Sequence, residues 1–269
     1  MLPFIRINEQ LMLPTYMLVL SVTYCLALVF TFYRAGSDNR HIALDLALAI
    51  MIGGFLGARL LHVAYEYPTF YWDNPGEIFK FWRGGFVYYG GFIGALVLCS
   101  IYVHFKKISF LAWADFYAPV LSLGYALGRV GCFLNGCCFG DVCTLPWAVE
   151  FNYPGLPTGL RHPTQLYAMI FELCVFAFLL WFERRSKKGP SRSQGPAASY
   201  TAHTGDLFFT WLGLHGCGRL VMEAFRDDDR GAFILGLSIS TWLSLILIVV
   251  AIIGLLKVAT LRGMSPPKY

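Results

Sequence analysis

Long apolar segments alternate with shorter polar connections along the whole chain of 269 residues. A helix needs about 20 mainly apolar residues to cross a bilayer, and seven segments are long enough to do so. They cover residues 11–33, 42–64, 85–104, 110–130, 163–182, 206–222 and 233–256. Backbone polar groups in lipid must be satisfied within a helix or a closed barrel, and segments of this length are helices. The pattern predicts an all-α polytopic integral membrane protein with seven transmembrane helices.

Three longer connections between the spans differ in amino-acid composition and in the structure that they predict. Residues 65–84 mix aromatic and charged side chains with two prolines, which is typical of an arm at the membrane interface or of a plain interfacial loop. Residues 131–162 are predicted to form a small head on the same side. Residues 183–205 are rich in Lys, Ser, Gly and Pro, a composition typical of a flexible linker. We expect one membrane domain covering residues 1–269.

The distribution of Lys and Arg predicts how the chain is oriented. Twelve of the 21 basic residues lie on the side of the linker and the C-terminus, six lie on the opposite side, and three lie within spans. Because basic residues accumulate on the cytoplasmic side, the N-terminus is predicted to be external or periplasmic and the C-terminus cytoplasmic. Only 14% of residues are charged, and the net charge of +5 comes from these cytoplasmic stretches. No nucleic-acid partner is therefore expected.

Glycines recur at four-residue spacing inside or at the ends of three spans. The pairs are Gly53 and Gly57, Gly90 and Gly94, and Gly124 and Gly128. Such pairs let two helix backbones approach closely. We predict tight helix packing at these positions, and secondarily clearance for a site.

Arg59, Arg129 and Arg219 fall inside or at the ends of predicted spans. An ionisable side chain at the centre of a span costs about 3 kcal/mol or more, so each is a functional hypothesis. His215 and Glu223 lie four residues before and after Arg219 and share its helix face. Guanidinium groups bind phosphate oxygens in a planar fork. The pattern predicts a phospholipid-phosphate site near the outer leaflet; the alternative is that these arginines only reach the lipid headgroups.

The segment "GRVGCFLNGCCFGD" (128–141) and the residues after it hold four clustered cysteines, Cys132, Cys137, Cys138 and Cys143. A metal site is disfavoured because C-x2-C pairs are missing and no histidine lies within the cluster. A disulfide in an oxidising external compartment is the second interpretation. Packing of small side chains is the third and the one that we favour. No metal or other cofactor is expected.

The sequence resembles the prolipoprotein diacylglyceryl transferase family over nearly its whole length. The resemblance is carried by "RGGFVYYGGFIGA" (83–95), "KKISFLAWADFYAPVLSLGYALGRVGCFLNGCCFG" (106–140), "LPWAVEF" (145–151), "RHPTQLYA" (161–168) and "GRLVMEAFR" (218–226). It implies an enzyme of the bacterial inner membrane with its active site toward the outer leaflet. The enzyme would transfer the diacylglyceryl group of phosphatidylglycerol to the lipobox cysteine of a prolipoprotein signal peptide, forming a thioether and releasing glycerol phosphate.

The resemblance also implies roles for individual residues. Arg129 and Arg219 match family arginines that we expect on the phosphate. Residues at other matching positions are expected to bind substrate, together with Arg59 from the charge pattern. The predicted substrate-binding residues are Tyr16, Arg59, Asn135, Gly140, Arg161, His162, Gln165, Glu223 and Arg226.

The chain departs from the family pattern at several of these positions. The family often has a histidine directly before the Gly-Gly of the third span, where this chain has Tyr89, and a tyrosine four residues before Arg219, where it has His215. We hypothesise that the two residue types have changed places around one cavity. His215 would then be the catalytic base and Tyr89 its hydrogen-bonding partner.

The signature after the fourth span is altered as well. Cys132 stands where asparagine is common, Cys137 where glutamate is common, and Asp141 where a basic residue is common. These changes leave two alternatives open: a divergent member acting on another phospholipid or acceptor, and a phospholipid-binding membrane protein without chemistry. Transporters carry polar residues near the bilayer midplane. Here they gather near one face, which favours catalysis.

Overall fold

A computed structural model describes residues 2–6, 12–81, 84–151, 159–186, 204–226 and 233–263. Helices dominate it, and each of the predicted spans overlaps a helix. The helices are α1 (Thr15–Leu61), α2 (Pro68–Asp73), α3 (Tyr88–Lys106), α4 (Phe110–Asn135), α5 (Thr164–Ser186), α6 (Asp206–Glu223) and α7 (Ile239–Gly263). A π-helical turn at His62–Glu66 and a 3-10 helix at Pro75–Phe79 lie in the predicted arm.

Strands occur only as short antiparallel pairs in the described residues. The pairs are β1 (Phe4–Arg6) with β2 (Met12–Pro14), β3 (Val149–Glu150) with β4 (Leu160–Arg161), and β5 (Phe233–Ile234) with β6 (Leu237–Ser238). Each pair is too small to form a sheet with its own core. The prediction of an all-α protein is confirmed.

Four of the described helical stretches are long and apolar enough to cross a membrane: Thr15–Glu66, Phe110–Asn135, Thr164–Arg185 and Ile239–Leu261. A shorter apolar helix covers Gly90–Lys106. Their outward-facing side chains are apolar, as shown by Ile253 and Leu256, which are 60% and 62% exposed. Because water is a poor solvent for such a surface, the protein is a multi-pass membrane protein.

The first two predicted spans form one long helix with a sharp break. Gly36 in α1 has φ 68° and ψ 173°, which is not helical. Only glycine adopts such backbone angles without a steric penalty from Cβ. After the break, the guanidinium of Arg40 lies 3.9 Å from the centre of the Phe32 ring. The polar connection expected at residues 34–41 is thus a kink within α1.

The chain forms two compact units, one containing residues 1–30 and 111–269 and the other residues 31–110. In the second unit, a Cβ atom on Gly57 would lie 2.2 Å from the carbonyl oxygen of Gly90. The same test at Gly53 gives 2.5 Å to the oxygen of Gly94. The backbones of α1 and α3 are therefore in direct contact, which confirms tight packing for these two glycine pairs.

The third glycine pair does not pack in this way. A Cβ atom on Gly124 would meet nothing within 4 Å, and one on Gly128 would reach only a Leu20 methyl at 4.0 Å. The packing prediction is wrong for this pair, because four-residue spacing alone does not say whether another helix lies opposite.

The first unit has a core shared by α4, α5, α6 and α7. Its buried side chains are Ala118, Val175, Leu179, Leu207, Trp211, Leu212 and Ala251. Asp115 of α4 is fully buried and accepts hydrogen bonds from the backbone N–H groups of Gly205 and Phe208, at 2.6 and 2.8 Å. A carboxylate at a helix N-terminus accepts hydrogen bonds from the unpaired N–H groups of the helix. Its negative charge also interacts favourably with the helix dipole. This contact sets the position of α6 along α4.

Candidate functional site

One face of α4 carries a stripe of polar side chains in the first unit: Ser122, Tyr125, Arg129 and Cys132. Their spacings of three and four residues place them on the same side of the helix. The stripe is about 15 Å long, since an α-helix rises 1.5 Å per residue. Helix α5 supplies a partner of Ser122, and α6 supplies a partner of Tyr125.

Two arginines meet at the phenol oxygen of Tyr125. Nη2 of Arg129 donates to this oxygen, and Nη1 of Arg219 donates to it from 3.3 Å. Nη2 of Arg219 also donates to Oγ of Ser240 on α7, at 2.5 Å. Within the described part of the chain, neither guanidinium forms an ion pair with a carboxylate. The site therefore carries positive charge that an anion would neutralise.

His215 is held by a buried carboxylate. Its Nδ1 lies 2.5 Å from Oε1 of Glu172 on α5, a residue that is only 2% exposed. Oε2 of Glu172 accepts a hydrogen bond from Oγ of Ser122 at 2.7 Å. The imidazole packs edge-on against Tyr125 and stacks on Trp211. A carboxylate on Nδ1 selects the tautomer in which Nε2 accepts a proton.

These groups border a small cavity between α4, α5 and α6. It is lined by Tyr125, Ala168, Phe171, Glu172, Gly218, Arg219 and Met222. Its lining is mostly apolar, and Glu172 and Arg219 contribute its charged groups.

Helix α4 ends in a Schellman motif that brings two cysteines together. Gly136 has φ 76°, its N–H donates to the carbonyl of Phe133 at 3.1 Å, and the N–H of Cys137 donates to the carbonyl of Cys132 at 3.2 Å. This motif places the side chain three positions before the cap next to the one two positions after it. Those side chains are Cys132 and Cys137.

All eight cysteines of the chain are free thiols. The sulfur atoms of Cys132, Cys137 and Cys138 lie within 4.8 Å of one another. Hydrogen bonding with Cys132 and Cys137 lowers the pKa of the Cys138 thiol below its ordinary value, and Arg226 acts in the same direction. We call these three residues the thiol cluster.

Two side chains at the start of α5 fix the backbone of the thiol cluster. Nε2 of Gln165 donates to the carbonyl of Cys137, and Oγ1 of Thr164 donates to that of Cys138, both at 2.6 Å. Both side chains are buried. Oε1 of Gln165 has no hydrogen-bond partner among the described residues, so this buried acceptor is available to a ligand.

Tyr16 and Asn135, two predicted substrate-binding residues, border the thiol cluster. The ring of Tyr16 packs on Gly131, where an added Cβ would lie 3.1 Å from Cδ2 of the ring. Tyr16 also lies within electrostatic reach of Arg129 and the three thiols. The side chain of Asn135 forms a hydrogen bond with Cys137. The first unit thus brings both residues to the C-terminal end of the α4 stripe.

Three other predicted residues lie in the head. Arg161 is 4% exposed, and its Nη1 donates to the carbonyl of Gly140 at 3.3 Å. A Cβ on Gly140 would lie 2.3 Å from the carbonyl oxygen of Phe225, so only glycine fits there. His162 pairs with the hydroxyl of Tyr167 at 3.2 Å. These contacts hold the head together, and substrate binding by these residues stays a prediction.

The last two predicted residues of this unit lie at the end of α6 and just beyond it. Oε1 of Glu223 accepts a hydrogen bond from Oγ of Ser238 at 2.5 Å. The backbone of Arg226 pairs with that of Gly140, and its charge acts on Cys138. Glu223 thus joins α6 to the start of α7, and Arg226 joins α6 to the head.

Arg59 and Tyr89 belong to the second unit. Arg59 is 3% exposed and donates to the backbone carbonyls of Glu77, Ile78, Gly84 and Gly85 at 2.6–3.1 Å. A guanidinium has five N–H donors, so most of them hold the arm. The side chain of Tyr89 lies outside the described part of the structure. The exchange of roles between His215 and Tyr89 therefore stays a prediction.

Several members of this site were not predicted from the sequence. Glu172 is an acidic residue inside an apolar span, and the rule that singled out the arginines applies to it equally. Ser122 and Ser240 offered no such signal, because serine is common in membrane helices as a small residue. Tyr125 lies four residues before Arg129 on the same helix face, so the sequence predicts that these two side chains are close. Its contact with Arg219 could not be predicted.

Comparison with known proteins identifies the family. The family model described as prolipoprotein diacylglyceryl transferase matches residues 4–257. A Clostridium tetani protein named phosphatidylglycerol–prolipoprotein diacylglyceryl transferase is 35% identical over 221 residues, which is 81% of each chain. A Bordetella parapertussis protein of the same name is 36% identical over 206 residues, which is 75% of this chain and 72% of that protein. The predicted resemblance is confirmed, and the chain belongs to the prolipoprotein diacylglyceryl transferase family.

Proposed function

We propose that the protein transfers the diacylglyceryl group of phosphatidylglycerol to the lipobox cysteine thiol of a prolipoprotein. The reaction forms a thioether and releases glycerol phosphate and a proton. The names of the relatives support this reaction class. The structural observation that carries the proposal is the meeting of Arg129 and Arg219 at Tyr125, with no carboxylate partner for either among the described residues.

The two arginines act on the phosphate in this proposal. Phosphate oxygens replace the phenol oxygen of Tyr125 as acceptors of the guanidinium donors, in charge-assisted hydrogen bonds. As the bond between glycerol carbon and phosphate oxygen breaks, a further negative charge develops on the leaving group. Donors that are already in place stabilise this charge more than the ground state, which accelerates the reaction.

His215 acts on the acceptor thiol. With Nδ1 turned toward Glu172, the imidazole takes up a proton at Nε2, and the buried carboxylate stabilises the imidazolium that forms. The thiolate then attacks the glycerol carbon that bears the phosphate. The carbon–sulfur bond forms as the carbon–oxygen bond breaks, and the electron pair leaves with the phosphate.

We also propose that the site opens toward the outer leaflet of the bacterial inner membrane. The distribution of Lys and Arg supports an external N-terminus and a cytoplasmic C-terminus. The head and the thiol cluster then face the compartment in which a prolipoprotein signal peptide presents its cysteine. Arg161, His162 and Gln165 would lie at the mouth where this peptide enters.

A second candidate is transfer from a different phospholipid. It is favoured by Cys132, which stands where the family commonly has asparagine and lies within electrostatic reach of Arg129. Cys137 stands where glutamate is common, and its sulfur lies within 4.8 Å of that of Cys132. A change of polar groups beside the phosphate site alters which headgroup it accepts.

The direct test uses purified protein, a lipobox peptide and vesicles of one phospholipid at a time, with the diacylglyceryl peptide measured by mass spectrometry. We expect product with phosphatidylglycerol and a loss of about 100-fold or more in kcat/KM for Arg129→Ala and Arg219→Ala. Arg185→Ala is the matched control, because this arginine stacks on Trp181 at the other end of α5. Product only with another headgroup supports the second candidate, and unchanged rates in both variants contradict the phosphate site.

A further inference from the structure

The thiol cluster has dimensions that suit one shared metal ion. The sulfur atoms of Cys137 and Cys138 are 3.9 Å apart, and all three sulfurs lie within 4.8 Å of one another. Thiolates bound to one tetrahedral Zn²⁺ at about 2.3 Å lie about 3.8 Å apart. One pair already has this spacing, and the other pairs need to close by about 1 Å at most.

The end of α4 explains why the sequence spacing did not look like a zinc site. Zinc fingers usually place two cysteines on a tight turn at C-x2-C spacing. Here the Schellman motif at Gly136 brings together two cysteines at C-x4-C spacing. The next residue, Cys138, has φ 63°, a left-handed conformation that is uncommon for a residue other than glycine. This conformation brings the third sulfur back to the other two.

Neighbouring side chains hold the thiol cluster in a fixed position. Buried Gln165 and Thr164 hold the carbonyls of Cys137 and Cys138, and Asn135 forms a hydrogen bond with the Cys137 thiol. Groups that orient the ligands in this way are typical of metal sites. Arg129 lies within electrostatic reach of Cys132 and Cys138. Its charge compensates the excess negative charge of three thiolates around a divalent ion.

The cluster offers only three protein ligands. No other His, Cys, Asp or Glu side chain of the described ranges joins the group. Structural zinc sites are closed by four protein ligands, whereas catalytic sites keep one position open. Thiolate ligands select thiophilic ions, and another thiol is a suitable occupant of the open position.

We propose that Cys132, Cys137 and Cys138 bind one Zn²⁺ ion whose open position receives the acceptor thiol and holds it as a thiolate. The identity of the acceptor rests on the proposed function, whereas binding of the ion does not. The site deepens that function, because the ion would hold the acceptor as a thiolate. Two of its three ligands, Cys132 and Cys137, stand where the family commonly has polar residues.

The acceptor thiol binds the ion and loses its proton, which passes through water to His215. The ring of His215 packs on Tyr125, which lies about two helical turns before Cys132 in α4. The thiolate attacks the glycerol carbon bearing the phosphate, the carbon–sulfur bond forms, and the carbon–oxygen bond breaks. Its electron pair leaves on glycerol phosphate, which Arg129 and Arg219 hold. The thioether product is uncharged and binds the ion more weakly, so it dissociates.

The increase in rate that we expect from the bound ion depends on pH. A free thiol with an ordinary pKa of about 8.5 is about 3% ionised at pH 7. Complete ionisation on the ion raises the thiolate fraction about 30-fold, and the lower nucleophilicity of a bound thiolate removes part of this gain. We expect loss of the ion to reduce kcat by about tenfold at pH 7 and by less at pH 9, where the free thiol ionises unaided. A purely structural role of the cysteines would not produce this pH dependence.

The first experiment measures metal content in the full-length protein purified in detergent. We expect about one zinc per chain in the wild type and in Cys143→Ser, the matched control outside the cluster, and little zinc in Cys132→Ser or Cys138→Ser. Gel filtration of each variant verifies that it is folded. Equal zinc in all variants, copper in place of zinc, or a disulfide between cluster cysteines overturns the proposal.

The second experiment tests the open position and separates the two proposals. In protein loaded with Co²⁺, a lipobox-cysteine peptide should change the thiolate-to-cobalt absorption, and the same peptide with a methylated sulfur should not. Lipid transfer by zinc-free protein at the wild-type rate makes the zinc proposal wrong and leaves the proposed function intact. Cysteine-dependent zinc binding without lipid transfer leaves the metal site intact and overturns its role in accepting the prolipoprotein thiol.

Discussion

Replacement of Glu172 by glutamine tests whether His215 works as a base. The carboxylate is 2% exposed and lies 2.5 Å from Nδ1 of the imidazole, and its other oxygen accepts from Ser122. Glutamine has nearly the same shape and keeps a hydrogen bond to Ser122. It carries no charge, and its amide group can donate to Nδ1. Donation to Nδ1 places the imidazole proton on Nε2, where it blocks proton uptake.

The size of the effect follows from the hydrogen bond that is lost. A hydrogen bond to a charged group contributes about 1.5–3 kcal/mol. At 1.36 kcal/mol per factor of ten, the kcat of Glu172→Gln should fall by about 10- to 150-fold. The stability of the protein should change little, because removing a buried charge also removes its desolvation penalty.

The assay is single-turnover lipid transfer to a lipobox peptide at saturating phosphatidylglycerol, with thermal unfolding in detergent measured in parallel. KM for the lipid should stay unchanged, since Arg129 and Arg219 keep their contacts. Cys174→Ser is the matched control, because this residue lies two positions along α5 on an exposed face. A folded Glu172→Gln protein with the wild-type kcat would refute the role of the His215–Glu172 pair.

Two further substitutions test other parts of the structure. Arg219→Lys replaces a guanidinium that reaches both Tyr125 and Ser240 by a single ammonium group. We expect kcat/KM to fall by about tenfold or more. An unchanged kcat/KM in vesicle assays would contradict a bidentate phosphate contact. Gly57→Ala places a Cβ 2.2 Å from a backbone oxygen of α3 and should destabilise the second unit by about 1–3 kcal/mol, measured as a lower Tm. Gly54→Ala, where the nearest atom is 3.9 Å away, should leave Tm unchanged, and equal shifts in the two variants would exclude backbone contact as the cause.

The helices of this protein are predictable from sequence because the bilayer imposes a local rule. A span must be apolar over its whole length whatever its neighbours are. Hydropathy therefore placed predicted spans on α1, α3, α4, α5, α6 and α7, with two of them on α1. The kink at Gly36 was not predicted, because a polar connection between two spans is compatible with a loop or with a broken helix.

The charged part of the candidate site was predictable for a related reason. Arg129 and Arg219 stand out in apolar segments, where a charge is expensive and needs a function. Their common acceptor Tyr125 could not be found in this way, because Arg219 and Tyr125 are separated by 94 residues. The buried pair of Glu172 and His215 is likewise separated by 43 residues.

The thiol cluster shows most clearly what the sequence determines and what only the tertiary structure decides. The sequence by itself determined the class of protein, its long apolar helices and the residues whose charge or thiol chemistry is unusual in lipid, because each depends on one residue and its neighbours. The tertiary structure decided which of these side chains meet. The cap after α4 turned three cysteines of unfavourable spacing into one cluster, and α6 carried His215 and Arg219 to α4, because distances across a fold depend on how helices end and pack.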